Sequence, residues 1–286
     1  DPGDEVIIPE PFYANYNGFA QASDVEVIPV TSKIEDNFAL PSIELFEKKI
    51  NNRTKAILIC NPCNPTGYVY SKEEIINIAN LAKKNDLFII VDEVYREFIY
   101  SNLKHFSILE DETFFDNAIL IDSTSKRYSL CGARIGFIVS KNSNFIETCM
   151  KFALARLSPP TVALIAANNA LKSDDKYIGN VIKEYSTRRK VLIGELSKIN
   201  NIEFSDPMGA FYSIIKLPVK NAEEFAKFLL TDFSINNESV MLAPAAGFYS
   251  SIDNGKDEVR IAFVLNSEKI KRAINIINIG LKEYIG

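Results

Sequence analysis

Short, predominantly apolar runs set the tightest limit on what this chain can fold into. They are four to six residues long and read as buried strands at residues 5–8, 25–30, 56–60, 87–91, 118–121 and 135–139. Helical spacing occurs between them at residues 42–50, and again after Ser71, where Glu74 completes a capping-box signature. Apolar strands that alternate with helices are typical of an α/β fold, in which a mostly parallel sheet is flanked by helices.

The pattern changes in the last third of the chain. Residues 176–198 read as one long, charged amphipathic helix. Strands at residues 210–217 and 259–264 follow it, together with helices at residues 222–230 and 267–284. We therefore expect two domains: residues 1–175 form the large α/β domain, and residues 176–286 form a bridging helix and a smaller C-terminal α+β domain.

Charge and cysteine usage narrow the possible partners. The net charge is −5 and there is no basic block, which argues against nucleic acid. No apolar run approaches the roughly 18 residues that a membrane span needs, so we expect no membrane partner. Four cysteines without a visible secretion signal suggest reduced thiols and a cytoplasmic location. Cys60 and Cys63 have C-x-x-C spacing, but the only histidine is His105, so no metal site is expected. His105 lies in a polar segment and is expected at the surface.

A polar loop between the runs at 118–121 and 135–139 gives the first chemical signal. It holds Ser123, Ser125, Lys126 and Arg134. Hydroxyls and a guanidinium suit a phosphate because they offer donors and positive charge together, and a lysine can form an imine with an aldehyde. Pyridoxal phosphate carries both groups and would use every part of this loop. A solvated Ser/Lys/Arg loop is the alternative that the stretch alone leaves open.

Polar residues follow two other strands of the predicted sheet. Asn64 lies in a turn after the run at 56–60, and Asp92 and Tyr95 follow the run at 87–91. In α/β sheets ligands bind at the carboxyl ends of strands, so these loops are expected to meet the lysine loop. A carboxylate there can pair with a protonated pyridine nitrogen. The simpler interpretations are a tight turn at Asn64 and a helix cap at Asp92.

Four short motifs occur in this order at suitable spacing: Asn64-Pro-Thr-Gly67, Asp92-x-x-Tyr95, Ser123-x-Ser-Lys126 and Gly132-x-Arg134-x-Gly136. Together they resemble the class I and II aminotransferases of pyridoxal-phosphate-dependent fold type I, in their aspartate-aminotransferase-like branch. The resemblance runs along the whole chain. It implies pyridoxal 5'-phosphate as cofactor, a homodimer, and ping-pong transfer of an amino group between an amino acid, aspartate above others, and a 2-oxo acid such as 2-oxoglutarate.

The resemblance also implies roles for the residues around the cofactor ring. Lys126 would hold the cofactor covalently and then move the proton, and Asp92 would contact the pyridine nitrogen. Asn64 and Tyr95 would contact the ring hydroxyl. Tyr13 would stack on the ring; taken by itself it also reads as a core or surface aromatic.

Five further contacts are implied at the two ends of the bound ligands. Ser123, Ser125 and Arg134 would hold the phosphate. Arg260 would bind the α-carboxylate of the substrate, although alone it also reads as an edge-strand arginine in a surface ion pair. Arg156 resembles the arginine that, in some aspartate enzymes, reaches from the partner subunit to the distal carboxylate; a structural role is equally open.

Other functions share these motifs. The same scaffold serves C–S lyases, decarboxylases and aminotransferases for aromatic amino acids or alanine, and a fold does not fix its chemistry. It also serves as a non-catalytic effector-binding domain in regulators. The chain begins at Asp1-Pro-Gly-Asp4, which has the composition of an internal turn. We therefore expect preceding sequence, which in the family supplies a helix N-terminus for the phosphate, a tyrosine for the partner's phosphate, and a lid over the substrate.

Overall fold

Two β-sheets organise the molecule. The computed structural model describes residues 1–100, 102–173 and 175–286. The six-stranded sheet has the order β2-β1-β3-β4-β5-β6, and the four-stranded sheet has the order β7-β8-β10-β9. The strands are β1 Glu5–Glu10, β2 Glu26–Thr31, β3 Thr54–Cys60, β4 Phe88–Asp92, β5 Ala118–Ser123, β6 Gly136–Val139, β7 Glu203–Phe204, β8 Tyr212–Lys216, β9 Ala243–Pro244 and β10 Glu258–Ala262.

The larger sheet confirms the predicted mostly parallel α/β arrangement. Strands β1 to β5 pair in parallel, and only β6 joins antiparallel, at the edge beside β5. The prediction that the first strand ends before Pro9 was wrong, because β1 continues to Glu10 and Pro9 pairs with Val30 of β2. Pairing of β1 with β3 stops at Ile7, so Pro9 needs no amide donor on that side.

Helices cover the sheets. They are α1 Asn15–Ala22, α2 Ile43–Glu47, α3 Lys72–Lys84, α4 Thr124–Arg127, α5 Ser143–Arg156, α6 Thr161–Ala170, α7 Asp175–Leu196, α8 Ala222–Thr231 and α9 Ser267–Ile285. The capping box predicted at Ser71 is present, with Glu74 bonded in both directions. Helices α1, α5 and α6 were not predicted from the sequence. The loop expected around Lys126 contains the single-turn helix α4, which Ser123 caps.

The second sheet has its own packing layer, and the predicted smaller α+β unit is present as β7 to β10 with α7, α8 and α9. Its core is apolar and includes Phe225 and Leu229 of α8 and Ile274 of α9. The expected boundary between residues 175 and 176 falls at the start of α7 and stays a prediction. In the described residues, no helix has the length and apolar character needed to cross a membrane.

The two sheets meet closely at the loop that follows β3. The N–H of Gly209 donates to the carbonyl oxygen of Gly67 at 2.9 Å. Gly67 has φ +74°, and a Cβ there would lie 2.7 Å from the carbonyl oxygen of Tyr212. A side chain at position 67 would therefore push β8 away from the loop that carries Asn64. The absence of that side chain lets the loop after β3 and the second sheet share one site.

Candidate active site

The register of the central strands brings the predicted site residues to one edge of the sheet. Cys60 at the end of β3 lies opposite Asp92 at the end of β4, and Asp92 lies opposite Ile121 of β5. Ser123 is therefore only two residues beyond the position level with Asp92, and Asn64 is four residues beyond Cys60. The edge predicted from apolar runs alone is the edge at which the polar loops converge.

Asp92 is a buried carboxylate at the centre of this edge. Its Oδ2 accepts a 2.7 Å hydrogen bond from the Tyr16 hydroxyl, and its Oδ1 accepts one of 3.2 Å from the Val94 N–H. Burial raises the pKa of Asp92, and these two hydrogen bonds oppose the rise only in part. A buried carboxylate of this kind gains from a cationic partner, which a protonated ring nitrogen supplies.

Lys126 projects from α4 beside the same edge. The Ser123 hydroxyl accepts from the Ser125 N–H and so begins the helix immediately before the lysine. The Lys126 Nζ lies 5.9 Å from the centre of the Tyr95 ring, and Tyr95 is buried. This contact places a primary amine next to one of the two residues expected at the cofactor ring hydroxyl.

A chain of contacts runs from Tyr95 to the second sheet. The Tyr95 and Tyr212 hydroxyls are 3.0 Å apart, and the Arg260 guanidinium lies 4.5 Å from the centre of the Tyr212 ring. Arg260 Nη1 donates to Asn64 Oδ1 at 2.9 Å. This bond fixes the amide of Asn64 with Nδ2 as its remaining donor. Tyr212 is a site residue that the sequence analysis missed.

Neighbouring side chains hold Arg260 in place, but one of its hydrogen-bond donors has no acceptor among the described residues. Its guanidinium lies 4.5 Å from the centre of the Tyr212 ring and 4.8 Å from the centre of the Phe248 ring. Its Nε is buried and has no hydrogen-bond partner among the described residues. A buried guanidinium donor without an acceptor is rare and costly, and a carboxylate from a ligand is the acceptor that fits it best.

Of the three residues expected at the phosphate, only Ser123 and Ser125 contact each other. The Ser123 and Ser125 hydroxyls are hydrogen-bonded to each other at 2.9 Å. Arg134 is exposed, has a left-handed backbone with φ 56°, and donates from Nη1 to the Cys131 carbonyl at 3.0 Å. The structure thus places the serine pair beside Lys126, whereas the Arg134 side chain bonds within its own turn.

Tyr13 and Arg156 lie further out. The Tyr13 ring is half-buried and packs edge-on against Tyr16, with 5.5 Å between ring centres, which brings it near the partner of Asp92. Arg156 is exposed at the C-terminal end of α5.

Comparison with known proteins settles the family. The family described as "Aminotransferase class I and II" matches residues 1–277. The chain belongs to the class I and II aminotransferases. It is 32% identical to the aspartate aminotransferase of Pyrococcus abyssi over 286 residues, which cover 98% of this chain and 71% of that protein.

Solved structures of other aminotransferases have the same fold. The aspartate aminotransferase of Thermotoga maritima superposes with a TM-score of 0.87 at 31% identity, covering 99% of this chain and 71% of that one. An aromatic aminotransferase of Pyrococcus horikoshii superposes with a TM-score of 0.89 at 30% identity, covering 100% of this chain and 75% of that one. The predicted aminotransferase family, fold and activity are confirmed.

The cofactor of this aminotransferase family is pyridoxal 5'-phosphate, as predicted, and the donor set of the site suits it. Asp92 offers a buried carboxylate for a cationic ring nitrogen, and Lys126 offers a primary amine for the aldehyde. Asn64 Nδ2 and the Tyr95 hydroxyl are donors for the ring hydroxyl. The ring nitrogen, the aldehyde and the ring hydroxyl of the cofactor therefore each have a side chain of matching chemistry within the described residues.

His105 is largely buried against Glu93, contrary to the prediction that it lies at the surface. Its side chain is 10% exposed, and its Nε2 lies 2.8 Å from Oε2 of the fully buried Glu93. The Ser107 hydroxyl and the Ile108 N–H also donate to Glu93. The surface assignment was wrong because the partner of the histidine is twelve residues away, directly after Asp92.

Proposed function

We propose that this aminotransferase moves an amino group between L-aspartate and 2-oxoglutarate by a ping-pong mechanism. The unsatisfied Nε of Arg260 carries the proposal, because it marks a place for a carboxylate beside the residues that suit the cofactor ring. Relatives with the name aspartate aminotransferase support the choice of substrate. A cytoplasmic location is part of the proposal and is supported by four free cysteines.

The roles in this proposal follow from the chemistry of each side chain. When bound, pyridoxal phosphate withdraws electrons from the α-carbon of the amino acid. Asp92 holds a proton on the ring nitrogen, and Asn64 and Tyr95 orient the ring hydroxyl. Arg260 holds the α-carboxylate of the substrate. The Nζ of Lys126 would attach the cofactor until the amine of the substrate takes its place. The freed amine would then remove the proton from the α-carbon and return it to the former aldehyde carbon of the cofactor, two bonds away.

Four other residues complete the proposed ligand contacts. Ser123 and Ser125 offer hydroxyls to the phosphate. Arg134 reaches the phosphate only if its side chain leaves the Cys131 carbonyl. The Tyr13 ring covers the cofactor ring from the side of Tyr16.

Arg260→Gln is expected to lower kcat/KM for L-aspartate by about 10-fold to 100-fold, because a hydrogen-bonded charge partner of the carboxylate is lost. The measurement is steady-state oxaloacetate formation with 2-oxoglutarate as acceptor. Loss should be equal for every amino donor, since all share the α-carboxylate.

Two controls sharpen this test. Arg188→Gln removes an arginine that is also stacked on a tyrosine, at 4.9 Å from the Tyr185 ring, but lies outside the site; it should keep wild-type kinetics. Omitting 2-oxoglutarate should stop the reaction after one turnover. Continued oxo-acid release without an acceptor would instead identify a lyase, and an unchanged KM in Arg260→Gln would remove Arg260 from the substrate site.

The homodimer belongs to this proposal, and an uncovered apolar face supports it. Helix α5 buries no residue, and α6 buries only Ala167. Large apolar side chains along α5, α6 and the segment between them are more than half exposed: Met150, Phe152, Leu154, Leu157, Val162 and Ile165. Exposed apolar side chains in this number on a class I and II aminotransferase suit a second copy of the chain. Arg156 lies at the end of α5, next to Leu157.

Hybrid dimers test whether Arg156 serves the partner's site. Arg156→Ala should lower kcat/KM for L-aspartate and leave L-alanine unaffected, because only aspartate has a distal carboxylate. The Arg156→Ala chains are then mixed in equal amounts with inactive Lys126→Ala chains and allowed to reassemble. Half of the random dimers are hybrids, and each hybrid has one intact site of two. The mixture should therefore regain about one quarter of the wild-type activity with L-aspartate. No recovery would place Arg156 in its own subunit or outside the site. Lys151→Ala, an exposed change on the same helix, is the matched control.

A further inference from the structure

Tyr212 contacts both the proposed carboxylate subsite, at Arg260, and the proposed cofactor subsite, at Tyr95. It begins β8, is buried, and uses its ring and its hydroxyl in different directions. Its ring faces Arg260, the proposed carboxylate partner. Its hydroxyl meets Tyr95, a proposed contact of the cofactor ring hydroxyl. None of the four sequence motifs contains it.

The ring contact is built into the second sheet. In the antiparallel pair of β8 and β10, Tyr212 lies opposite Ala262, two residues along from Arg260, so both side chains emerge on one face as diagonal neighbours. The guanidinium lies 4.5 Å from the Tyr212 ring centre, and the Phe248 ring centre is 4.8 Å from it. Cation–π attraction is strongest where water is excluded, so the ring sets the plane in which Arg260 presents its donors.

The hydroxyl contact is buried as well. The two tyrosine oxygens are 3.0 Å apart, and the rings are nearly perpendicular at 85°. Tyr95 is 3% exposed, so water does not replace a lost partner readily. Either hydroxyl can donate in this pair. In the arrangement in which Tyr212 donates, the Tyr95 hydroxyl becomes a better donor to a third group, because consecutive hydrogen bonds polarise one another.

We propose that Tyr212 is a positioning residue that couples the carboxylate and cofactor subsites, its ring orienting Arg260 and its hydroxyl orienting Tyr95. The inference rests on the proposed roles of those two residues. It assigns different consequences to the two halves of one side chain. Loss of the hydroxyl weakens cofactor binding alone, and loss of the ring weakens binding of the substrate carboxylate too.

Two substitutions separate these effects. For Tyr212→Phe, fluorescence titration of the cofactor-free protein with pyridoxal phosphate should give a Kd raised about threefold to tenfold, the range expected for one buried hydrogen bond. Its KM for L-aspartate should stay within about twofold of wild type, because the ring remains under Arg260. Tyr212→Leu should raise the Kd similarly and also raise KM about threefold or more, as loss of a desolvated cation–π contact predicts.

Tyr185→Phe is the matched control. Tyr185 belongs to the same aromatic cluster, with its ring 5.3 Å from that of Phe211, but among the described residues its ring contacts are with Phe98, Phe211, Phe263 and Arg188 and not with Arg260 or Tyr95. It should leave both Kd and KM unchanged, and thermal unfolding should show all three variants folded. An unchanged Kd in Tyr212→Phe, or equal rises of KM in the Phe and Leu variants, overturns the coupling role. An unaffected KM in Arg260→Gln would instead remove Arg260 from the substrate site, and continued oxo-acid release without an acceptor would overturn the proposed function, which keeps the failures apart.

Discussion

Lys126→Ala is expected to lower kcat for transamination by at least about 10⁴-fold, because one substitution removes both the covalent attachment of the cofactor and the proton-transferring amine. It should also remove the visible absorption band that attachment to Lys126 gives the cofactor. The position of Lys126 supports this expectation, since its Nζ lies 5.9 Å from the ring of the buried Tyr95. The measurements are steady-state kinetics and an absorption spectrum after incubation with pyridoxal phosphate and dialysis.

Lys126→Arg separates the loss of chemistry from the loss of charge. Arginine keeps a cation at the end of α4 but does not attach an aldehyde in the same way, so it should be as inactive as alanine. Lys151→Ala, on the exposed surface of α5, should keep both the band and the rate. A Lys126→Ala protein that retained the absorption band would show that another amine carries the cofactor.

The strand-end residues were predictable because their signal is local. Each buried strand is a continuous apolar run, and the first polar residues after it mark its carboxyl end. Parallel neighbours in register then place Asn64, Asp92 and Ser123 at one edge without any knowledge of side-chain packing. The family resemblance added the roles, but the shared edge follows from the strand pattern alone.

The supporting aromatic residues were not predictable in this way. Tyr16 bonds to Asp92 from 76 residues away, and Tyr212 bonds to Tyr95 from 117 residues away. Neither tyrosine differs locally from a core tyrosine, since its function depends on how two distant segments pack. The same holds for His105, whose burial depends on Glu93 and not on its own polar surroundings.

Helices α5 and α6 could not be predicted from the sequence for a different reason. Periodicity identifies a helix when one face is apolar and the other is polar. Apolar residues of α5 and α6 such as Phe152, Leu154 and Val162 are exposed in the single chain, so the pattern is not that of a surface helix packed on its own core. When apolar residues are spread around a helix, as at Met150, Phe152 and Leu154 of α5, the sequence does not show a simple period.

Asp92→Asn is expected to lower kcat by about 10²-fold to 10³-fold, the range for removing one preorganised electrostatic contact at a reacting group. The amide has the shape of the carboxylate and can keep its contacts with Val94 N–H and the Tyr16 hydroxyl, which is free to reverse its bond. What it lacks is the negative charge that keeps a proton on the ring nitrogen. Steady-state kinetics with L-aspartate and 2-oxoglutarate measure the loss. Asp122→Asn is the control, because Asp122 is a carboxylate on the adjacent strand β5 and pairs with Arg127. It tests whether the loss of any buried charge near the site has the same effect.

In the cofactor-free protein, the Asp92→Asn substitution that lowers kcat should instead raise the stability of the fold at pH 7. Burial raises the pKa of Asp92, so its stabilising contribution is fully present below its ordinary pKa of about 3.9 and is lost as the pH rises through the raised value. At pH 7 the buried charge therefore destabilises the fold, and Asp92→Asn should have the higher Tm. The difference should shrink as the pH falls and vanish below about pH 3.9, where both side chains are neutral. Pyridoxal phosphate should reverse the order at pH 7, because only the carboxylate gains a cationic partner. A lower Tm for the cofactor-free variant at pH 7 would show that the Tyr16 and Val94 hydrogen bonds outweigh the cost of burying the charge.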